Sequence, residues 1–384
     1  MNFIETTLAV LALLSLALVS WQWLAAVRFP LHQRIQGSSF APALTLLKPL
    51  KGCNDTTAAS LQSWFNQDYA GRTQILFGVA DAQDPACRTV RELLGKHPGR
   101  DAQLVVCPES LGASGKVSTL IQLERLAKHE LILVSDADVR VPPDFLANIV
   151  APLGDPQTGL VNCFYRLANP ATLAMRCEAI AINADFWSQV LQAATLKPPD
   201  FALGAVMLTR RERLGEIGGF TALADCLADD YQLGHRIAQN GHGIALCPVV
   251  VDCWDPPMNW IDVWKHQLRW ARTIRVCQPA PYFFSILANA TFWPLLWLMA
   301  SLVSSPAWSA PLAAIGGLLV RMVFAQNLQR RFVLPGDNLS PTWLVPVKDL
   351  LQAAVWAGAF FGNTIEWRGQ KMRLRRDGTM VEAN

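Results

Sequence analysis

Apolar positions along the chain follow two patterns. At both ends they form long unbroken runs, whereas between about Arg28 and Gln278 they come in short bursts separated by polar, helix-like stretches. The bursts "ALTLLK", "QILFGVA", "AQLVVC", "LILVSDAD" and "GLVNCF" between residues 43 and 163 read as buried strands. Strands alternating with helices predict a largely parallel sheet covered by helices, a Rossmann-like α/β domain.

The long runs read as membrane helices. Thr7–Val27 has about the 20 apolar residues a helix needs to cross a bilayer, with Trp21 and Trp23 placed as an interfacial belt and Arg28, His32 and Arg34 just after. A cleaved signal peptide carries positive charge ahead of its apolar core, but only Glu5 stands there. We therefore expect an uncleaved anchor with the globular part on the cytoplasmic side.

Three more apolar stretches follow, Phe283–Ser304, Ala310–Gln326 and Trp343–Gly362, the first two joined by the short linker "SSPAWS". The third carries Lys348, Asp349 and Gln352 on one side of a helix and is expected to face protein or a polar cavity rather than lipid. If it spans, the basic tail "EWRGQKMRLRR" emerges on the far side, against the positive-inside tendency; if it re-enters, the tail stays with the globular part. Before these runs, "WIDVWKHQLRWARTIRV" (260–276) places Ile261, Trp264, Leu268, Ala271 and Ile274 at helical spacing, with Lys265, Arg269, Arg272 and Arg275 spread over the other side. Because an apolar run begins a few residues later, this predicts an amphipathic helix at a membrane surface.

Composition agrees with the pattern: 52% of residues are hydrophobic, 16% are charged and fourteen are tryptophan. The mean hydropathy is +0.22. A net charge of +3, with no long basic run interleaved with aromatics, argues against a nucleic-acid partner. The nine cysteines are scattered without a C-x-x-C pair, which fits free thiols in a reducing compartment better than a disulfide or zinc framework.

In open α/β sheets ligands bind beyond the C-terminal ends of the strands. Asp81 and Asp84 follow the second burst, "LGASGK" (111–116) the third, and Asp136 with Asp138 the fourth, so polar groups converge on one edge. Two carboxylates one residue apart can hold a hard divalent cation such as Mg2+ or Mn2+ together with phosphate oxygens. The same pair also suits a plain turn, and it is the placement after a buried strand that favours a site. Lys116 suits a nucleotide base or phosphate, but its loop lacks the glycine spacing and Lys-Ser/Thr pair of a Walker A motif, so an ATPase is not expected. Asp229 and Asp230 precede a predicted helix, where carboxylates also serve as caps; as a functional group, Asp230 is the candidate general base.

In their order, "LLKPLKG" (46–52), "GVADAQDPA" (78–86), "SDADVRVPPDFL" (135–146), "GAVMLTRRERLGEIGGF" (204–220), "LADDYQLG" (227–234) and "HQLRWARTIR" (266–275) resemble family 2-type glycosyltransferases of the GT-A fold. The resemblance is strongest to the ceramide glucosyltransferase-like branch, family 21. Within it, "FALGAVMLTRRERLGEIGGFTALADCLADDYQLG" and "LRWARTIR" are most similar to bacterial hopanoid-biosynthesis-associated glycosyltransferases, with bacterial ceramide glucosyltransferases the close second.

The resemblance implies an anchor at 1–28, a cytoplasmic GT-A catalytic domain at 29–258, an interfacial helix at 259–278, a C-terminal membrane region at 279–366 and a basic tail at 367–384. It implies that Lys48, Asp81, Lys116, Asp136, Asp138, His266, Arg269 and Trp270 bind the nucleotide sugar, with Asp136 and Asp138 holding a Mg2+ or Mn2+ ion. Asp230 would be the catalytic base, and Asp229 and Trp264 would lie on the acceptor side. His266 stands where the family usually has Gln or Arg, and a histidine's charge varies near neutral pH.

The implied activity is an inverting hexosyltransferase of a bacterial inner membrane, moving N-acetylglucosamine from its UDP-sugar to a hopanoid hydroxyl. The alternative is glucose from UDP-glucose to ceramide. A non-catalytic scaffold or sugar-nucleotide sensor is the reading of another class. A processive polysaccharide synthase would need more membrane helices than four candidates supply.

Overall fold

The computed structural model of the protein describes residues 3–35, 40–304, 308–334, 336–367, 370–375 and 378–382. The chain forms two compact units. One comprises Pro30–Asn169, Lys197–Pro256 and Gly378–Asn384, and the other Met1–Phe29, Pro170–Leu196 and Pro257–Asp377.

The first unit is built on eight strands: β1 (Leu44–Leu50), β2 (Thr73–Val79), β3 (Asp101–Val106), β4 (Leu131–Ser135), β5 (Val139–Arg140), β6 (Thr158–Leu167), β7 (Val206–Arg210) and β8 (Gly243–Cys253). Their order is β3-β2-β1-β4-β7-β6-β8-β5. β1 to β4 run parallel, as do β6 and β8, while β7 is antiparallel to both its neighbours and β5 is antiparallel to β8. This is the mostly parallel α/β sheet that the apolar bursts predict, and the five bursts supply β1 to β4 and β6.

Both faces of the central strands are covered, which is why they read as continuous apolar runs rather than as alternation. Leu46, Ile75, Phe77, Leu131 and Leu133 pack into one core, and Leu47, Leu76, Ile132 and Val134 into the other, each strand dividing its side chains with period two. Full burial of each such side chain is worth about 1.5–3 kcal/mol.

Because β1, β2 and β4 are parallel, Leu50, Val79 and Ser135 end on one edge of the sheet. The antiparallel β7 starts at that edge: Ser135 lies opposite Val206, and Asp136 N donates to Ala205 O at 3.2 Å. Neither β7 nor β8 stood out as a strand in the apolar pattern.

The second unit is helical. Phe3–Arg28 and Ser309–Phe332 are each long and apolar enough to cross a membrane. A third candidate is the pair Pro279–Ala288 and Phe292–Val303, bent by 46°. The sequence predicted one run here. The break falls at Asn289, whose Oδ1 accepts from Thr291 N at 3.2 Å and Phe292 N at 2.9 Å and so starts a new helix. Residues 305–307 of the "SSPAWS" linker lie outside the described residues.

Ala9 and Ala12 of the first helix pack on Trp297 and Ala314. The third apolar stretch forms the 15-residue helix Leu344–Gly358, short of the ~20 residues a span requires. Its Lys348 and Asp349 are buried, as expected for a polar face turned toward protein. They form a closed network with Asp185 and Arg321: Arg321 meets Asp185 at 2.8 Å and Asp349 at 2.9 Å, and Lys348 pairs with both carboxylates. Two cations facing two anions leave no net charge to desolvate.

The unit boundaries cut across the domain limits expected from sequence. Pro170–Leu196, placed inside the 29–258 domain, groups with the apolar helices. It contains Leu173–Ile180 and Trp187–Ala194 joined by a π-helical segment at 181–186 that carries Asp185. The predicted amphipathic helix is present as Trp260–Cys277, started by a reciprocal cap between Asn259 and Asp262. Its Leu268 and Ala271 pack on Tyr282 and Val355, while Trp260, Ile261 and Ile274 stay exposed. All nine cysteines are free thiols, seven of them buried.

Candidate active site

The sheet edge gathers seven of the eleven site residues predicted from the sequence. Asp136 and Asp138 occupy the turn between β4 and β5, both half-buried. Beside them Lys48, fully buried at the end of β1, donates to Ser135 Oγ at 3.2 Å and to Asp136 O, and lies over the Trp64 ring. Burial pushes the Lys48 ammonium down to about 7, although the Asp138 and Asp136 carboxylates pull the other way.

Burial raises the Asp138 carboxyl to about 7, helped by the charges of Asp136 and Asp255 and opposed by Lys48. Near neutral pH the Asp138 carboxyl is therefore only partly ionised, with burial as the main cause.

Lys116 lies in the first turn of the helix Gly115–Glu124, which Ser114 caps by accepting from Val117 N. A cation is unfavourable at a helix N-terminus. It is held there by carboxylates: Nζ is 2.9 Å from Asp136 Oδ1 and 3.1 Å from Asp229 Oδ2. Burial works against the Lys116 charge, but Asp136, Asp229 and Asp230 outweigh it and lift its pKa above the ordinary lysine range. The lysine therefore ties the loop after β3 to the turn after β4 and to the helix Asp229–Gln239.

Asp229 and Asp230 open that helix, where negative charge suits the helix dipole. Asp230 Oδ1 accepts from Tyr231 N at 2.8 Å. Burial and the neighbouring Asp229 raise its carboxyl to about 6, with Lys116 opposing, so near neutral pH it can both hold and release a proton. Sequence reasoning missed a residue here. A Cβ added to Gly204 would lie 2.6 Å from Asp230 Oδ2, so the bare backbone just ahead of β7 leaves the room this carboxylate occupies. The phrase "LGAVM" contains the signal, but only the contact gives it meaning.

Asp81 is exposed after β2, and its Oδ1 accepts from Gln83 N at 2.9 Å. Asp84, also singled out, is taken up structurally: its carboxylate accepts from Gly52 N at 3.0 Å and Ala86 N at 2.8 Å. Gly52 has φ +74°, a conformation that favours glycine, so Asp84 pins the loop after β1.

The other four predicted site residues, Trp264, His266, Arg269 and Trp270, lie on the helix Trp260–Cys277 of the second unit. His266 Nδ1 is 2.7 Å from Glu178 Oε1, and its ring lies 4.5 Å from that of Trp270. Sequence reasoning passed over Glu178, although it is a carboxylate in the otherwise apolar "CEAIAI".

Asp136 and Asp138 fit a hard divalent cation. Such an ion takes one or two protein carboxylates and completes its shell with phosphate oxygens and water. Burial, with the charges of Asp136 and Asp255, raises Asp138, and a bound cation would favour its ionised form. Among the described residues no third His, Cys, Asp or Glu joins them in a metal-holding group, so an ion held here would rely on its substrate for its remaining ligands.

Comparison with known proteins agrees with this arrangement. Residues 7–380 match the model of Glycosyl transferase family 21. Ceramide glucosyltransferase 3 of Caenorhabditis elegans is 23% identical over 220 residues, 57% of this chain and 48% of that protein. A ceramide glucosyltransferase of Candida albicans is 30% identical over 121 residues, 29% of this chain and 22% of that protein. The chain thus spans about half or less of the length of these relatives. A mannosyltransferase from Pyrobaculum calidifontis, solved with GDP-Man and Mn2+, has a TM-score of 0.59 at 21% identity, covering 93% of this chain and 98% of its own. The sheet is thus a glycosyltransferase GT-A fold, and with a family model matched over nearly its whole length, the chain belongs to glycosyl transferase family 21.

Proposed function

We propose that the protein is a membrane-bound, inverting hexosyltransferase that moves a sugar from a UDP-sugar to the hydroxyl of a membrane lipid. The observation that carries this reading is Asp230: a carboxyl raised to about 6 at the C-terminal edge of a nucleotide-binding-type sheet, beside a lysine shared with Asp136.

In the reaction Asp230 takes the proton of the lipid hydroxyl as its oxygen attacks the anomeric carbon. The bond from that carbon to the diphosphate breaks, and its electron pair leaves on the diphosphate oxygen. One displacement inverts the centre, so an α-linked donor yields a β-glycoside. Lys116 brings positive charge to the diphosphate, Lys48 is assigned to the nucleotide-sugar site, and Asp81 is assigned to the uridine. Arg269 and Trp270 are assigned to the diphosphate, and Asp229 and Trp264 to the acceptor side. A Mg2+ or Mn2+ ion held by Asp136 and Asp138 would supply charge neutralisation on the leaving group.

Two donor–acceptor pairs follow. The motif phrases favour UDP-N-acetylglucosamine with a hopanoid, while the names of the curated relatives favour UDP-glucose with ceramide. The family 21 membership and the candidate spans support a membrane setting, which we place at a bacterial inner membrane with the sheet unit in the cytoplasm. The C-terminal segment supports a re-entrant course for Leu344–Gly358. Met380 N donates to Asp225 O at 2.8 Å and Thr379 bridges Cys226, so the chain returns to the sheet unit after its last apolar helix.

The test is to incubate detergent-purified protein with each UDP-sugar and lipid pair, for the wild type and Asp230→Asn. Loss of a general base costs about 10²–10⁴-fold in rate. Transfer by the variant at the wild-type rate would refute Asp230 as base. Absence of any donor turnover by the wild type would favour the scaffold.

A further inference from the structure

The second unit contains a cavity of about 440 Å³, within the ~300–1,000 Å³ range of small-molecule sites. Its walls come from three segments: the helix carrying Glu178, the amphipathic helix 260–277 and the helix 344–358. Trp264, Leu351 and Val355 make it apolar, while Glu178, Gln267, Gln352 and Lys348 are its polar members, Lys348 being already paired with Asp185 and Asp349.

Glu178 is unevenly satisfied. Its Oε1 takes two donors, His266 Nδ1 at 2.7 Å and Gln267 Nε2 at 2.8 Å. Its Oε2 is buried without a hydrogen-bond partner among the described residues, and the residue is only 2% exposed. A buried carboxylate oxygen left unpaired carries a desolvation cost that an incoming O–H or N–H would remove. Apolar walls, an acceptor atom lacking its donor and a location in the unit that holds the candidate membrane spans describe a site for an uncharged amphiphile with a donating head.

We propose that this cavity holds the acceptor lipid, with Glu178 Oε2 accepting from its hydroxyl or amide head and His266 fixing the Glu178 carboxylate as a positioning residue. The proposal rests on the lipid-transferase reading above and names the side chain that selects the acceptor. It also gives the histidine that replaces the family's usual Gln or Arg a task in ordering Glu178.

Two measurements separate this proposal from that reading. The first needs no donor: a diazirine-bearing short-chain ceramide is cross-linked to the full-length protein in detergent and the adducts are mapped. Unlabelled short-chain ceramide and a hydroxylated hopanoid compete in separate arms, and the stronger competitor identifies the lipid. Adducts are expected on residues 177–181, 260–267 and 351–355. The second compares wild type with Glu178→Ala and with Leu351→Trp, which fills the cavity without touching the carboxylate.

Both variants are expected to raise the KM for lipid by roughly tenfold or more with little change in the KM for UDP-sugar, as loss of one hydrogen bond to a charged group or of the cavity space demands. His266→Ala should raise the lipid KM in the same direction, and His266→Gln, which keeps a donor, should restore most of it. Adducts confined to other segments, or a lipid KM within about twofold of wild type in a folded Leu351→Trp protein, would overturn the proposal. Cross-links in the cavity of a protein that transfers no sugar would sink the transferase reading and leave the cavity standing. Transfer with cross-links elsewhere would do the reverse.

Discussion

Replacing Gly204 by alanine tests the site through a residue that has no chemistry of its own. The added Cβ would sit 2.6 Å from Asp230 Oδ2 and 3.2 Å from its Cγ, whereas ordinary contact begins at 3.4 Å. The carboxylate must therefore retreat by about 0.8 Å, or β7 must shift by a similar amount. A misplacement of roughly 1 Å costs about 10²-fold in rate, or ~2.7 kcal/mol of barrier. We expect Gly204→Ala to lower kcat by about 30- to 100-fold with the KM for UDP-sugar little changed. Gly215→Ala is the control, because nothing lies within 4 Å of the Cβ it would add. The assay is the initial rate of glycolipid formation beside UDP release, with thermal unfolding in detergent reporting the fold. A folded Gly204→Ala protein working within about threefold of wild type would refute the assignment of Asp230 as the positioned base.

Three further outcomes follow from the same cluster. Since the base must be ionised and burial raises Asp230 from 3.8 to about 6, kcat/KM should fall about tenfold per pH unit below 6, and a limb near 4 would contradict the environment described. Lys116→Met removes the cation shared by Asp136 and Asp229 and opposing the Asp230 shift, so the acidic limb should move to higher pH and stability should fall by about 3–5 kcal/mol, read from denaturant unfolding at neutral pH. If Asp136 and Asp138 hold a divalent ion, EDTA should abolish transfer and Mn2+ or Mg2+ restore it, whereas Asp138→Ala should be inactive with either; unchanged activity under both treatments removes the metal role.

Some of this was legible along the chain because the evidence for it is local. A strand buried on both faces has to be an unbroken apolar run, so "ALTLLK" and "LILVSDAD" announced β1 and β4. A turn at the sheet edge has to be polar, so Asp136, Asp138 and Lys116 were visible as candidates. Membrane-length helices announced themselves by length and hydropathy, and Asn259 with Asp262 started the 260–277 helix as local capping chemistry dictates. β7 was less visible because it is only five residues long and lies inside the phrase 204–220, and β8 because Pro248 interrupts its apolar run.

What the sequence alone determined was thus the kind of fold, the family motifs and which side chains were available for chemistry. The tertiary structure decided which of them meet. Lys116 bridges Asp136 and Asp229, residues 20 and 113 positions away, because β3, β4 and the helix 229–239 bring their ends to one edge. Gly204 acquires a purpose only through contact with Asp230, and Pro170–Leu196 groups with the apolar helices although it lies in sequence between segments of the sheet unit. The physical reason is the range of the forces that write each pattern. Propensity, capping and amphipathicity act over a few residues and leave a periodic trace. Ion pairs, close approaches and cavities join segments far apart in sequence, and their positions are set by strand order and helix packing.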